Sequence, residues 1–122
     1  MIRHGLLAAA LLVANFANAG PAYLIAELTP HDREAYQRDY ASKVEAVVAA
    51  YGGRYIARGG RVAGLAGAAP TARVIIIEFP SMAAAQSFWD SPEYRPLAAV
   101  RGRLASGRIF MVEGLEASAT AK

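Results

Sequence analysis

Residues 73–89 have the sequence RVIIIEFPSMAAAQSFW, and this stretch decides the fold. Its first seven residues are mainly β-branched or aromatic, which predicts a strand over 73–79. Pro80 ends that strand, and Ser81 is a suitable N-cap for a helix over 82–89. A strand that leads directly into a helix is typical of a domain in which helices pack on a sheet.

The residues before this stretch predict two more strands and one helix. Strands are predicted over 22–28 and 54–58, and a glycine-rich connection over 59–72 joins the second of them to strand 73–79. Asp32 is the predicted N-cap of the helix, and Gly52-Gly53 is its predicted end. Apolar and aromatic residues recur between them at helical spacing: Tyr36, Tyr40, Val44, Val47, Val48 and Tyr51.

The residues after it predict a second helix and a last strand. Pro92 suits the first position of a helix that runs to about Ser106, although Pro96 follows only four residues later. Gly107 is predicted to end this helix, and a strand is predicted over 108–113. The order βαββαβ predicts a ferredoxin-like α+β fold, with one four-stranded antiparallel sheet and helices on one face.

Both faces of the predicted sheet carry apolar side chains. Strand 73–79 places Ile75, Ile77 and Phe79 on one face, and Val74 and Ile76 on the other. The helices can cover only one face, so a second copy of the chain is the simplest cover for the other, and we predict a homodimer. The alternative is a face that binds another protein or a lipid-like ligand.

Composition excludes several functional classes. The 122 residues include no cysteine, which excludes disulfides and thiolate metal sites. His31 is the only histidine after residue 19, so we expect no metal site, no cofactor and no Ser-His-Asp triad. The formal charge of +3 falls to +2 without Arg3, and acids separate the arginines, so nucleic acid is not an expected partner.

The first 19 residues have the three regions of a secretory signal peptide in order. Arg3 gives a basic start, 5–14 is an apolar run, and Ala17-Asn18-Ala19 has small residues where signal peptidase cuts. The run is shorter than the ~20 residues of a spanning helix, although an uncleaved anchor is the alternative. We predict cleavage after Ala19, a periplasmic or secreted location without membrane attachment, one domain over 20–116 and a disordered tail over 117–122.

Several stretches together resemble the domain of unknown function 1330 family. They are 73–81, 83–86 and 89–94, with similar segments at 32–36, 52–60 and 112–114. The resemblance covers about residues 22–115. It implies a ferredoxin-like fold in the dimeric α+β barrel group, with a pocket between each sheet and its helices, and it implies no established reaction.

A polar set within the predicted domain suggests a ligand site. Glu78 is a carboxylate in an apolar strand, and a hairpin centred near Ala66 places it opposite Arg54, or nearer Arg58 in a shifted register. This carboxylate is either half of a structural ion pair or a group that orients a ligand. The candidate ligand-binding residues are Tyr36, Tyr40, Arg58, Glu78, Trp89, Tyr94 and Arg101.

Two functions follow from these residues. The first is binding of a small acidic or aromatic organic molecule, with a cofactor-independent reaction suggested only by analogy with the fold. The second is a structural or protein-interaction dimer without a small-molecule ligand. The sequence contains no catalytic motif that decides between an enzyme and a binding protein.

Overall fold

The computed structural model describes residues 20–116 and has the predicted order of elements. The strands are β1 (Ala22–Pro30), β2 (Arg54–Arg58), β3 (Arg73–Phe79) and β4 (Ala105–Glu113). The first helix consists of α1 (Arg33–Tyr36), a π-helical turn (Gln37–Ala41) and α2 (Ser42–Ala50), and the later helices are α3 (Met82–Trp89) and α4 (Arg95–Leu104). The predicted signal peptide and the predicted tail lie outside the described residues.

The four strands form one sheet in the order β2-β3-β1-β4, and every neighbouring pair is antiparallel. Alternate residues of β1 are buried under the helices, namely Ala22, Leu24, Ala26 and Leu28. Ile75, Ile77 and Phe79 of β3 lie on the same side. These features confirm the predicted ferredoxin-like α+β fold. None of the helices in residues 20–116 has the length and apolar character needed to span a bilayer.

The predicted helix caps are confirmed. The Asp32 carboxylate accepts a hydrogen bond from the Ala35 amide at 3.0 Å, and the Ser81 hydroxyl accepts one from the Ala84 amide at 3.1 Å. Gly52 has φ 83°, the left-handed conformation that ends a helix at little cost to glycine. Local sequence therefore defines where two of the helices begin and where the first helix ends.

The first helix buries every fourth residue: Tyr36, Tyr40, Val44 and Val48. In an α-helix of about 100° per residue, three such steps would carry the buried stripe roughly 120° around the axis. The π-helical turn holds one extra residue, so it takes back part of that rotation. It thereby keeps both tyrosines and both valines facing the sheet.

Three predicted boundaries were wrong. β1 continues to Pro30 rather than ending at Leu28, because Thr29 and Pro30 still pair with the start of β4. The second long helix begins at Arg95 rather than Pro92, which places Pro96 in its first turn, where a missing amide costs nothing.

The third difference concerns Gly107, which lies inside β4 and does not end the helix. α4 ends at Leu104 instead of near Ser106, and Ala105 already belongs to the strand. Gly107 has φ 138° and lies opposite Leu28. A Cβ at this position would lie 1.9 Å from the carbonyl oxygen of Glu27, so the glycine permits close approach of two strands.

Candidate functional site

A cavity of about 40 Å³ lies between the first helix and the sheet. Nine of its lining residues are apolar, and no carboxylate lines it within residues 20–116. Its polar lining consists of four tyrosines and two arginines: Tyr36, Tyr40, Tyr55, Tyr94, Arg58 and Arg73. The cavity therefore combines an apolar body with hydroxyl and guanidinium donors, which is the usual composition of a small-molecule site.

Arg73 is the most unusual group in this lining. It begins β3 on the same face as Ile75 and Ile77, so its side chain is directed under the helices and is half buried. Its Nε is buried without a hydrogen-bond partner, and among the described residues no carboxylate lies within 4.0 Å of its guanidinium. Burial of a charged donor without a partner is costly, so this position favours an anion.

Gly59 makes room for the Arg73 guanidinium. It has φ 70°, and its amide donates to the Val74 carbonyl at 2.8 Å, which closes the pairing of β2 with β3. A Cβ at Gly59 would lie 2.8 Å from the Arg73 Cζ atom. Glycine at position 59 thus permits both the positive φ of the backbone and the observed position of the Arg73 guanidinium.

A β-bulge at Ile56 turns Arg58 toward the cavity. Tyr55 pairs with Ile77 and Arg58 with Ile75, so three steps along β2 match two along β3. Regular alternation would place Tyr55 and Arg58 on opposite faces, whereas the bulge puts both under the helices. The Arg58 guanidinium then lies 4.1 Å from the centre of the Tyr55 ring.

Three side chains form a hydrogen-bonded chain from the cavity to the protein surface. The Tyr40 and Tyr94 hydroxyl oxygens are 2.8 Å apart, and Arg101 Nη1 donates to the Tyr94 hydroxyl. Tyr94 is only 1% exposed, and Trp89 packs on its ring with centroids 5.3 Å apart. We call Tyr40, Tyr94 and Arg101 the hydroxyl chain.

Burial keeps the cavity phenols protonated. Burial raises the pKa of Tyr55 to about 12, and the Arg58 guanidinium opposes part of this rise. The pKa of Tyr40 is raised further, first by burial and then by the neighbouring Tyr94. Burial also raises the pKa of Tyr36, against the opposing Arg73 charge. At neutral pH these three hydroxyls are therefore hydrogen-bond donors, not phenolates.

The structure brings most of the predicted site residues together. Tyr36, Tyr40, Tyr94 and Arg58 line the cavity, and Arg101 lies one hydrogen bond behind it. Trp89 packs on Tyr94 but lines shallow hollows on the outer surface.

Glu78 is placed elsewhere. It lies with Val74 and Ile76 on the face of the sheet away from the helices, so it does not line the cavity. Its carboxylate lies 2.7 Å from Arg54 Nη2, and Arg54 pairs directly with Glu78 across the hairpin. The ion pair is the one predicted from a hairpin centred near Ala66, and Glu78, a predicted ligand-binding residue, lies apart from the other candidates that line the cavity.

Sequence reasoning missed Arg73 and Tyr55 in the cavity. Period-two alternation would have found Arg73, because it is two residues from Ile75 and shares its face. Alternation of side chains along the predicted strand 54–58 would have found Tyr55 in the same way. No group of three or more histidine, cysteine or acidic side chains in residues 20–116 is arranged to hold a metal ion.

Two solved structures share this fold. One is a protein of unknown function from Rhodopseudomonas palustris, with 23% identity and a TM-score of 0.63, covering 86% of this chain and 92% of that chain. The other is an ethyl tert-butyl ether d (EthD) family protein from Bacillus halodurans, with 10% identity and a TM-score of 0.50, covering 79% and 99%. At these identities the likeness concerns the fold alone.

A search among curated proteins found no match. A family model described as Domain of unknown function (DUF1330) matches residues 21–115, which includes every strand and helix described above and all the cavity residues. This chain therefore belongs to the DUF1330 family.

Proposed function

We propose that the protein binds a small organic acid in the cavity, with the carboxylate held by Arg73. The observation that carries this proposal is the buried Arg73 Nε, which lacks a hydrogen-bond partner in an apolar lining. A carboxylate accepts hydrogen bonds from a guanidinium in pairs and would neutralise its charge. The Tyr36 hydroxyl lies in the same lining and adds a donor, and Arg58 also lines the cavity while its Nη1 lies 3.4 Å from a Glu45 carboxylate oxygen.

The cavity volume favours a short-chain acid over an aromatic one. The 40 Å³ of the cavity is room for about three water molecules, at the ~10–15 Å³ that each one needs, and the cavity is partly open to solvent, so an alkyl chain longer than that of acetate can extend into its opening. The nine apolar lining residues favour a ligand with an alkyl group beside the carboxylate. Acetate and butyrate are therefore suitable probes, and acetamide is the neutral control.

Isothermal titration calorimetry on the native protein and on Arg73→Met tests this proposal. We expect acetate and butyrate to bind, butyrate more tightly, and acetamide not to bind. Loss of a charge-assisted hydrogen bond costs about 1.5–3 kcal/mol, so Arg73→Met should weaken butyrate binding by roughly 10- to 100-fold.

Arg61→Met is the matched control, because Arg61 is exposed in the connection over 59–72. It removes the same charge without changing the cavity, so its butyrate affinity should equal that of the native protein. Equal affinities in Arg73→Met and Arg61→Met would contradict the assignment of Arg73. Absence of binding for both acids in the native protein would contradict the proposed function.

A second candidate function is a dimeric structural or protein-interaction module without a small-molecule ligand. It is favoured by the apolar face of the sheet away from the helices, which we call the open face. Ile56, Phe110 and Val112 are 47%, 41% and 47% exposed there, and Ile25 and Ile76 are half buried beside them. We propose that two copies of the chain associate through their open faces. This association is common to both candidate functions, because the cavity lies on the other side of the sheet.

Analytical ultracentrifugation tests this association. The native protein should sediment as a dimer, and Phe110→Glu should shift it to a monomer, because the variant places a charge in the apolar contact. Leu65→Glu is the control, since Leu65 is 95% exposed in the connection over 59–72 and should leave the dimer intact. A monomeric native protein would contradict the proposal.

We also propose that the protein is exported and cleaved after Ala19, on the strength of the three ordered regions in residues 1–19. Intact mass spectrometry of protein recovered from the periplasm and from the membrane fraction tests this proposal. The expected mass is that of a chain beginning at Gly20. A full-length mass in the membrane fraction would support the anchor instead.

A further inference from the structure

The chemistry of the hydroxyl chain fixes the direction of one of its hydrogen bonds and favours one direction for the other. A guanidinium is a donor only, so the Tyr94 oxygen accepts from Arg101. Within residues 20–116 the Tyr94 hydroxyl has one other partner, the Tyr40 oxygen at 2.8 Å. Acceptance from a cation makes the Tyr94 hydroxyl a stronger donor, so donation from Tyr94 to Tyr40 is the cooperative arrangement.

This direction leaves the Tyr40 proton available to the cavity. Tyr40 lines the cavity and forms the inner end of the hydroxyl chain, whereas Arg101, at the other end, does not line the cavity and is half buried. Tyr94 is the only hydrogen-bond partner of the Tyr40 hydroxyl among the described residues, and in the cooperative arrangement Tyr94 is the donor of that bond. A polar atom of a ligand is the natural acceptor for the remaining proton.

We propose that the Tyr40 hydroxyl, polarised by Arg101 through Tyr94, donates a hydrogen bond to a second oxygen of the bound acid. This inference rests on the proposed function, because it needs a carboxylate at Arg73. It narrows the ligand to a short-chain acid with a carbonyl oxygen near the carboxylate, that is, a 2-oxo acid. Tyr40 is then a binding residue, and Arg101 is a positioning residue that acts through Tyr94.

Both guanidiniums act near the same cavity without competing for one acceptor. Arg73 lies 6.0 Å from the centre of the Tyr36 ring, and the Tyr36 and Tyr40 rings are 5.4 Å apart. Arg101 is engaged with Tyr94 and does not line the cavity. The carboxylate is thus assigned to Arg73, and the carbonyl oxygen to the neutral donor Tyr40.

Paired titrations with pyruvate and propionate test this inference, since the two acids have the same carbon skeleton and differ in the oxo group. A hydrogen bond to a neutral group is worth about 0.5–1.5 kcal/mol, so the native protein should prefer pyruvate by roughly 2- to 10-fold. Tyr40→Phe should abolish the preference, so that the variant binds the two acids with equal affinity. Arg101→Met should reduce the preference without altering the cavity lining.

Tyr51→Phe is the control, because Tyr51 donates to Glu93 at 2.9 Å on an exposed surface and should keep the full preference. The ratio of the two affinities is measured on folded protein, so loss of stability in a variant does not mimic the expected result. Equal binding of both acids to the native protein, or a preference retained in Tyr40→Phe, would overturn the inference while the proposed function stands. Failure of both acids to bind would instead refute the proposed function.

Discussion

The role of Glu78 follows from the face of the sheet on which its side chain lies. Its carboxylate lies 2.7 Å from Arg54 Nη2, and the two side chains are 23% and 73% exposed. The Tyr23 hydroxyl lies 3.4 Å from the other carboxylate oxygen, which is a weak contact. Exposed ion pairs contribute at most about 1 kcal/mol to stability, so this pair is a minor structural feature.

Glu78→Gln should therefore lower the free energy of unfolding by less than about 1 kcal/mol, because it removes one partner of an exposed pair. Chemical denaturation measures this change. Glu27→Gln is the matched variant, since Glu27 pairs with Arg108 at 2.8 Å on the same face and should cost a similar amount. Butyrate affinity should not change in either variant, and a loss confined to Glu78→Gln would show that this carboxylate acts on the ligand.

The sequence predicts the Arg54–Glu78 pair because a symmetric hairpin fixes which residues lie opposite each other. The same strand also shows where the reasoning failed. Alternation of side chains assigns Glu78 to the face of Val74 and Ile76, and Arg73 to the face of Ile75. A carboxylate within an apolar strand nevertheless indicates a functional site more strongly than an arginine at the end of a strand. The position of Arg73 in the cavity was therefore predictable from the alternation of side chains along the strand. Glu78 was predicted as the ligand-binding residue instead because of its residue type.

At the scale of elements, β4 depends on the close approach of its backbone to β1. Gly107 lies opposite Leu28 with φ 138°, and a Cβ there would meet the Glu27 carbonyl oxygen at 1.9 Å. A backbone atom cannot give way as the end of a flexible side chain can. The β1–β4 ladder would have to separate locally to admit any other residue.

Gly107→Ala should lower the free energy of unfolding by about 2–4 kcal/mol, because it adds both a steric clash and an unfavourable backbone conformation. Thermal and chemical denaturation measure the loss. Gly102→Ala is the control: Gly102 lies in α4 with no atom within 4 Å of the added Cβ, and alanine favours the helix. A stable Gly107→Ala variant would mean that β4 does not pair with β1 in this register.

Two irregular elements escaped the sequence analysis for a physical reason. The π-helical turn over Gln37–Ala41 and the bulge at Ile56 each insert one residue into a regular repeat, and neither needs a special residue type. The spacing of the buried residues at 36, 40, 44 and 48 does indicate the π-helical turn, because their period of four residues is longer than the period of an α-helix. By contrast, the caps at Asp32 and Ser81 depend on side-chain chemistry and were predictable.

Several tyrosine side chains are buried in the folded protein, and their burial makes its stability decrease at alkaline pH. Burial raises the pKa of Tyr55 to about 12, and also raises those of Tyr40 and Tyr36 above the ordinary value of ~10. The folded protein thus holds these protons more tightly than the unfolded chain does. The resulting stability is complete below pH ~10 and is lost as the pH rises further.

The melting temperature should accordingly fall steeply from about pH 10 to pH 12, with tyrosinate absorbance appearing together with unfolding. Calorimetry and ultraviolet absorbance over this range measure both. Tyr55→Phe removes one contribution and should flatten the decrease. Tyr23→Phe is the control, because Tyr23 lies on the open face of the sheet and outside the cavity, and a decrease equally flattened by both variants would contradict the role of burial.

The bulge at Ile56 also has a consequence for comparison among relatives. Loss of the bulged residue would restore regular alternation along β2 and leave Arg58 opposite Ile75 on the cavity face, because Tyr55 and Arg58 would then be two steps apart. A strand that is one residue shorter at this point would thereby keep its positive charge in the cavity, although the arginine would be one position closer to the tyrosine in sequence. Family members with either spacing, tyrosine and arginine three residues apart or two, should therefore share the same ligand charge preference.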